Sequence, residues 1–121
     1  MAYIRGGGGG NYPVVKLAGH ILKVTVTMDS NYNHVMKTYL DGVLISTNSS
    51  GYYGGMSVVA KTEGNYATEG GYNIQCDLIL NGTGTQATAM YLKVTLNGFS
   101  LYQSSSVGLS SNIDSGDVTI K

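Results

Sequence analysis

Two histidines, one cysteine and seven carboxylates are the groups through which this chain of 121 residues could do acid–base, nucleophilic or metal chemistry. Their spacing gathers none of them into a site. There is no Gly-x-Ser-x-Gly elbow, no His-Glu-x-x-His and no pair of carboxylates on one strand face, so the side-chain sets that hydrolases and metalloproteases need are missing. His20 opens a strand and His34 closes a turn, and both read as surface or capping residues rather than ligands. Cys76 alternates with Ile74 and Leu78, which points its thiol into a core, where it serves as a small hydrophobe. Asp29-x-Asn31-x-Asn33 matches the first three ligand positions of a calcium loop. His34 then stands where that loop needs glycine, and no Glu closes it. Asp114 and Asp117 are the carboxylates that a second loop would have to lend; an Asx-rich turn is the reading. No catalytic residue, cofactor or metal is expected, and the protein reads as a non-enzyme.

The tyrosines say more. Tyr32, Tyr52, Tyr53, Tyr66 and Tyr72 lie in or beside segments rich in Gly and Asn rather than mid-strand. Tyr among Gly, Ser and Asn gives a large contact area, few rotatable bonds and one hydrogen-bonding tip, the chemistry of an adaptable recognition surface. A glycan or another protein copy would suit it; rings that merely cover the ends of a sheet core are the competing reading. A second candidate contact stands at the start of the chain. Tyr3, Ile4 and Arg5 precede five consecutive glycines, Gly6 to Gly10, and five glycines make a tether with maximal backbone freedom. No Lys-Ser or Lys-Thr follows them, so they are not a phosphate-cradling loop. A short peptide on such a leash suits docking on a neighbour, for instance by adding a strand to a sheet edge. The expected organisation is residues 1–12 as anchor and tether, and 13–121 as one domain.

The elements that must position these residues are strands. From Val14 onward the period is two. Leu22, Val24, Val26 and Met28 face one way, Lys23, Thr25 and Thr27 the other, and β-branched residues favour the strand. Asp29–Asn33 is a turn. Val35–Leu40 and Val43–Thr47 flank Asp41-Gly42, and Ala87–Leu96 and Phe99–Gln103 flank Asn97-Gly98. Both are two-residue hairpin signals, because Asx and Gly tolerate positive φ. Residues 48–55 read as loop, 56–62 as strand, 63–71 as loop, 72–80 as strand with Tyr72, Ile74, Cys76, Leu78 and Leu80 on one side, and 81–85 as turn. The Ser-rich tail ends in a short strand at 118–120. About eight antiparallel strands around one core predict an all-β sandwich, jelly-roll-like. The segments 37–46 and 93–102 resemble each other, either as a weak duplication or because any two Asx-Gly hairpins share this pattern.

Composition narrows the class. Seven basic and seven acidic residues cancel, and the lysines are scattered singly, so no stripe exists for tracking phosphates and nucleic acid is not an expected partner. Near-neutral charge removes the repulsion that keeps copies apart and favours self-association. One Cys forms no internal disulfide. No apolar window is long enough for a membrane helix, and the first residues lack the pattern of a signal peptide, which predicts synthesis in the cytoplasm and no membrane partner.

Two resemblances follow. His20 to Ser46, with its strand, turn and Tyr-Leu-Asp-Gly-Val-Leu-Ile hairpin, resembles the central hairpin of laminin-G-like (concanavalin-type) sandwiches, over about a fifth of the chain. The whole chain is similar in style to the small all-β decoration and tail-fibre proteins of tailed phages: leaderless, neutral, rich in Gly, Ser, Thr and Asn, with an arm before a compact domain. That likeness implies a bacteriophage virion structural protein, capsid decoration or tail or head fibre, forming a homo-oligomer (a trimer is favoured) with other virion proteins. The alternatives are a carbohydrate-binding host-attachment module whose partner is a surface glycan, and a self-assembling surface filament subunit.

Overall fold

The computed structural model describes residues 19–60, 74–82 and 86–120, and these form ten strands and no helix. In order they are β1 (Ile21–Met28), β2 (His34–Leu40), β3 (Val43–Ser50), β4 (Met56–Ala60), β5 (Ile74–Asn81), β6 (Ala89–Leu96), β7 (Phe99–Gln103), β8 (Val107–Gly108), β9 (Ile113–Asp114) and β10 (Val118–Thr119). They make two antiparallel five-stranded sheets. One has the order β10-β1-β2-β3, with β9 also on β1; the other has β4-β5-β6-β7, with β8 also on β6.

Alternation decides which face each strand buries. Leu22, Val24 and Val26 of β1, Met36 and Leu40 of β2, Ile74, Cys76 and Leu78 of β5, and Met90, Leu92 and Val94 of β6 are all buried in one shared core. Burial of this apolar surface is the main driving force for folding. The Thr38 hydroxyl of β2 meets the Cys76 thiol of β5 at 3.6 Å, a polar contact across the two sheets inside that core. Ile113 and Ile120 in the tail also belong to it, which ties the C-terminal strands to the body.

The central strands β1 and β6 share a construction. Each pairs on one side with a long strand and on the other with two short ones. Between the short ones a serine takes over the ladder. Ser115 N–H donates to Val24 O, and its Oγ accepts from Val24 N–H at 2.9 Å. Ser104 does the same with Leu92, its N–H donating at 2.9 Å and its Oγ accepting at 2.9 Å. The interruption therefore leaves no backbone group of Val24 or Leu92 orphaned, as burial requires.

The two Asx-Gly hairpins also share their geometry. Asp41 and Gly42 have φ of 52° and 82°, Asn97 and Gly98 of 50° and 87°, the left-handed pairs of a type I′ turn. After each turn the register slips at the same place: Thr38 faces Ser46 and Tyr39 faces Leu44, while Val94 faces Tyr102 and Thr95 faces Ser100. One residue, Ile45 or Leu101, is thereby passed over, a bulge that adds twist.

Several sequence expectations change here. The strands number ten among the described residues rather than about eight, because the Ser-rich tail holds three short strands that two-residue pairing makes hard to read. β3 runs on to Ser50 instead of stopping at Thr47: Asn48, Ser49 and Ser50 pair with Met36, Val35 and His34 despite their loop-like composition. Sequence neighbours are spatial neighbours within each sheet, so the order is two meanders closed by the C-terminal strands. The interleaved order of a jelly roll is not seen among the described residues. The expected 1–12 arm and the strand start at Val14 lie outside the described residues.

Candidate recognition surface

β2 begins at His34 and ends at the Asp41-Gly42 turn; β6 begins beside β8 and ends at Asn97-Gly98. Both Asx-Gly turns therefore lie at the end of the molecule away from His34. At the His34 end, three turns converge: the β1–β2 turn, the β3–β4 turn and the β8–β9 loop.

The β1–β2 turn is built on Asp29. Its Oδ1 accepts from the Asn31 and Asn33 N–H groups at 2.8 and 2.9 Å, the Asx turn read from the sequence. These backbone donors, Asn33 first and Asn31 second, hold the Asp29 carboxyl below its ordinary 3.8. Among the described residues no three His, Cys, Asp or Glu side chains gather as a metal would need. Tyr32 N–H bonds Asp29 O at 3.2 Å, and Asp29 N–H bonds Asn33 O at 2.9 Å, which closes a three-residue loop. Its last residue must be left-handed, the place where glycine or asparagine ordinarily sits. Here it is Tyr32, with φ 62°. A bulky residue in that conformation costs about 1–2 kcal/mol, and the Tyr32 ring is 65% exposed.

Tyr52 and Tyr53 come from the short link between β3 and β4. The Tyr52 ring is half-buried and meets three others. It stands edge-on to Tyr32 at 6.4 Å between centroids and edge-on to Tyr53 at 4.9 Å, and it stacks on His34 at 5.7 Å with the planes 15° apart. Edge-to-face contacts of this kind add about 0.5–1.5 kcal/mol beyond area burial. The Tyr52 hydroxyl lies 3.0 Å from Ser110 Oγ, which fixes the far end of the ring. Tyr53 is 57% exposed.

His34 is the floor of this cluster, and the sequence reading of it as a surface or capping residue is corrected. It is fully buried, and its Nε2–H donates to Leu109 O at 2.7 Å. Nδ1 is also buried and has no hydrogen-bond partner among the described residues, so the ring is oriented by its Nε2 bond alone. The missed signal was phase. His34 alternates with Met36, Thr38 and Leu40, the buried face of β2, so it belongs to the strand and not to the turn before it. Leu109 and Ser110 were hidden in the Ser-rich tail, where nothing in their types marks a contact with Tyr52.

Of the five tyrosines singled out, the fold brings together Tyr32, Tyr52 and Tyr53. Tyr66 and Tyr72, like the anchor residues Tyr3, Ile4 and Arg5, lie outside the described residues. His20 is a surface residue: its Nδ1 meets the Asp41 carboxylate at 2.5 Å, while Asp41 also accepts from Ile21 N–H at 2.9 Å. Cys76 is buried as expected, and desolvation pushes its thiol up to about 11, with the Thr38 bond acting the other way. A thiol so protonated is a poor nucleophile at neutral pH. The chemistry this end offers is that of contact: aromatic faces and edges, hydroxyls and Asn amides.

Comparison with protein-family models, with curated proteins and with solved structures finds no match.

Proposed function

We propose that this protein works by contact, as a structural component of a bacteriophage virion, in capsid decoration or a tail or head fibre. Its two sheets are the layers of a β-sandwich body; the body self-associates, and Tyr3, Ile4 and Arg5 dock it on a neighbouring virion protein. The observation that supports a contact role is the tyrosine cluster: rings fixed by Ser110 and His34 on a neutral chain, with Tyr32 and Tyr53 presented outward. Rigid, amphipathic rings bind at low entropic cost. Deleting residues 1–12 is expected to abolish incorporation into particles while leaving the far-UV circular dichroism spectrum intact. Unchanged incorporation overturns the reading.

A specific observation favours a second reading, a host-attachment module that binds a surface glycan. Tyr32, Tyr52 and Tyr53 converge although they come from two different turns, and perpendicular rings beside Asn31, Asn33 and Ser110 supply the apolar faces and hydrogen-bonding groups a sugar uses. On a glycan array, signal from the wild-type chain that disappears in Tyr32→Ala and Tyr53→Ala supports it; a silent array counts against it.

A further inference from the structure

The two lateral sides of the molecule differ in how their sheet edges are finished. A free strand edge carries a row of unpaired N–H and C=O groups ready to template another strand, and proteins blunt it with short strands, bulges, prolines or lysines. On one side the edges are broken in this way, although β7 is as long as β4 and carries Phe99 at 77% exposure. β7 gives way to the two-residue β8 across Ser104–Ser106, and β9 and β10, two residues each, are separated by Ser115–Asp117. On the other side lie β3 and β4, consecutive strands joined by residues 51–55 and each the outermost of its sheet. β3 is eight residues long, β4 five. Neither contains a charged residue or a proline, and beyond its bulge at Ile45 β3 runs unbroken from Ser46 to Ser50. Val43, Leu44 and Val59 are exposed on these strands at 63%, 47% and 43%. Among the described residues nothing pairs with the outer edge of either strand.

We infer that this open side is the contact between two copies of the chain, β3 pairing antiparallel with β3 of the second copy. The occupant follows from charge and symmetry. A self-pairing strand sets its own residues opposite one another, so any charge near its centre would meet its like; Val43–Ser50 has none. A two-fold axis normal to the sheets satisfies both edges together, β3 against β3 and β4 against β4, because it keeps each sheet in register with its own kind. Such a contact is isologous and closes at two copies. It rests on the proposed self-association and replaces the three-fold expected from phage style with a two-fold.

The test is light scattering on the full chain across a dilution series, with Thr47→Lys/Ser49→Lys and Thr47→Glu/Ser49→Glu variants. Both positions are exposed, so the variants are expected to keep the wild-type far-UV circular dichroism spectrum. Wild type is expected at twice the chain mass, each charged variant at the chain mass, and an equimolar mixture of the two variants back at twice the mass. Amide exchange of Ser46–Ser50 in the wild type is expected to quicken on dilution, a readout independent of any variant. A monomeric wild type overturns the inference, as does a dimer that survives both charge patterns. A dimer lost on deletion of residues 1–12 but kept in the charged variants makes the arm the occupant and also overturns it. A monomeric wild type also removes self-association from the proposed function, a dimer that survives both charge patterns leaves it standing with another interface, and particle incorporation is tested separately.

Discussion

The two ends of this molecule solve the same backbone problem with different residues. Asp41-Gly42 and Asn97-Gly98 at one end, and Tyr32 at the other, all hold positive φ. At the hairpin end the left-handed positions go to residues that adopt them with little strain. The Asp41 carboxylate then does further structural service, holding Ile21 N–H and the His20 ring. At the tyrosine end the corresponding position carries one of the least suitable side chains, and the turn around it is held by Asp29 instead. The first end is optimised for folding. The second holds a left-handed backbone beneath an exposed ring, and strain of this kind in proteins clusters at functional sites.

The largest test of this contrast is His34→Ala. It removes the buried floor on which Tyr52 stacks and leaves Leu109 O without its donor, and a loss of about 3 kcal/mol in chemical denaturation is expected. A loss under about 0.5 kcal/mol, the range of surface substitutions, would mean that the tyrosine end needs no floor. Next comes Gly98→Val at the hairpin end. No atom of the described residues lies within 4 Å of the added Cβ, so the expected loss of about 1–2 kcal/mol reports backbone conformation. A neutral result would erase the distinction between the ends. Tyr32→Gly has the opposite sign: relief of the left-handed strain is expected to stabilise the fold by about 1 kcal/mol while any ligand signal at the cluster is lost. A destabilised Tyr32→Gly would show that the ring stabilises the fold more than its backbone strains it.

The smallest effect is a pH dependence. Asp29 is more acidic in the fold than its ordinary 3.8, so its contribution is fully present above that value and fades as pH falls through the lowered one. Wild type is expected to lose stability from about pH 5 towards the acid limit more steeply than Asp29→Asn, as followed by thermal melts. Equal slopes would remove Asp29 from the account of the turn.

How far the sequence reaches is clearest strand by strand. Where apolar residues alternate over eight positions, as in Ile21–Met28 and Ile74–Asn81, face and core are readable, because one period fits and no other does. The Asx-Gly turns are readable for a steric reason. Asn48–Ser50 is not, since its strand state comes from pairing with β2 and not from its own residues. Tyr32, Tyr52 and Tyr53 are picked out by type and neighbours, but their convergence depends on which turns the sheets bring to one end. Ser110 and Leu109 are far from them in sequence, and no local pattern encodes a contact across the whole body.

The closure by β9 and β10 has a kinetic consequence. β1 pairs, through Ile21 with Thr119 and Val26 with Ile113, with residues far from it in the chain. Contacts of such sequence separation raise contact order and slow folding, because loop closure must precede their reward. A nascent chain can build both hairpins on the ribosome yet cannot complete the sheet around β1 until β10 has been made. Until then the outer edge of β1 stays open, and a chain truncated before Ile113 would keep it open for good.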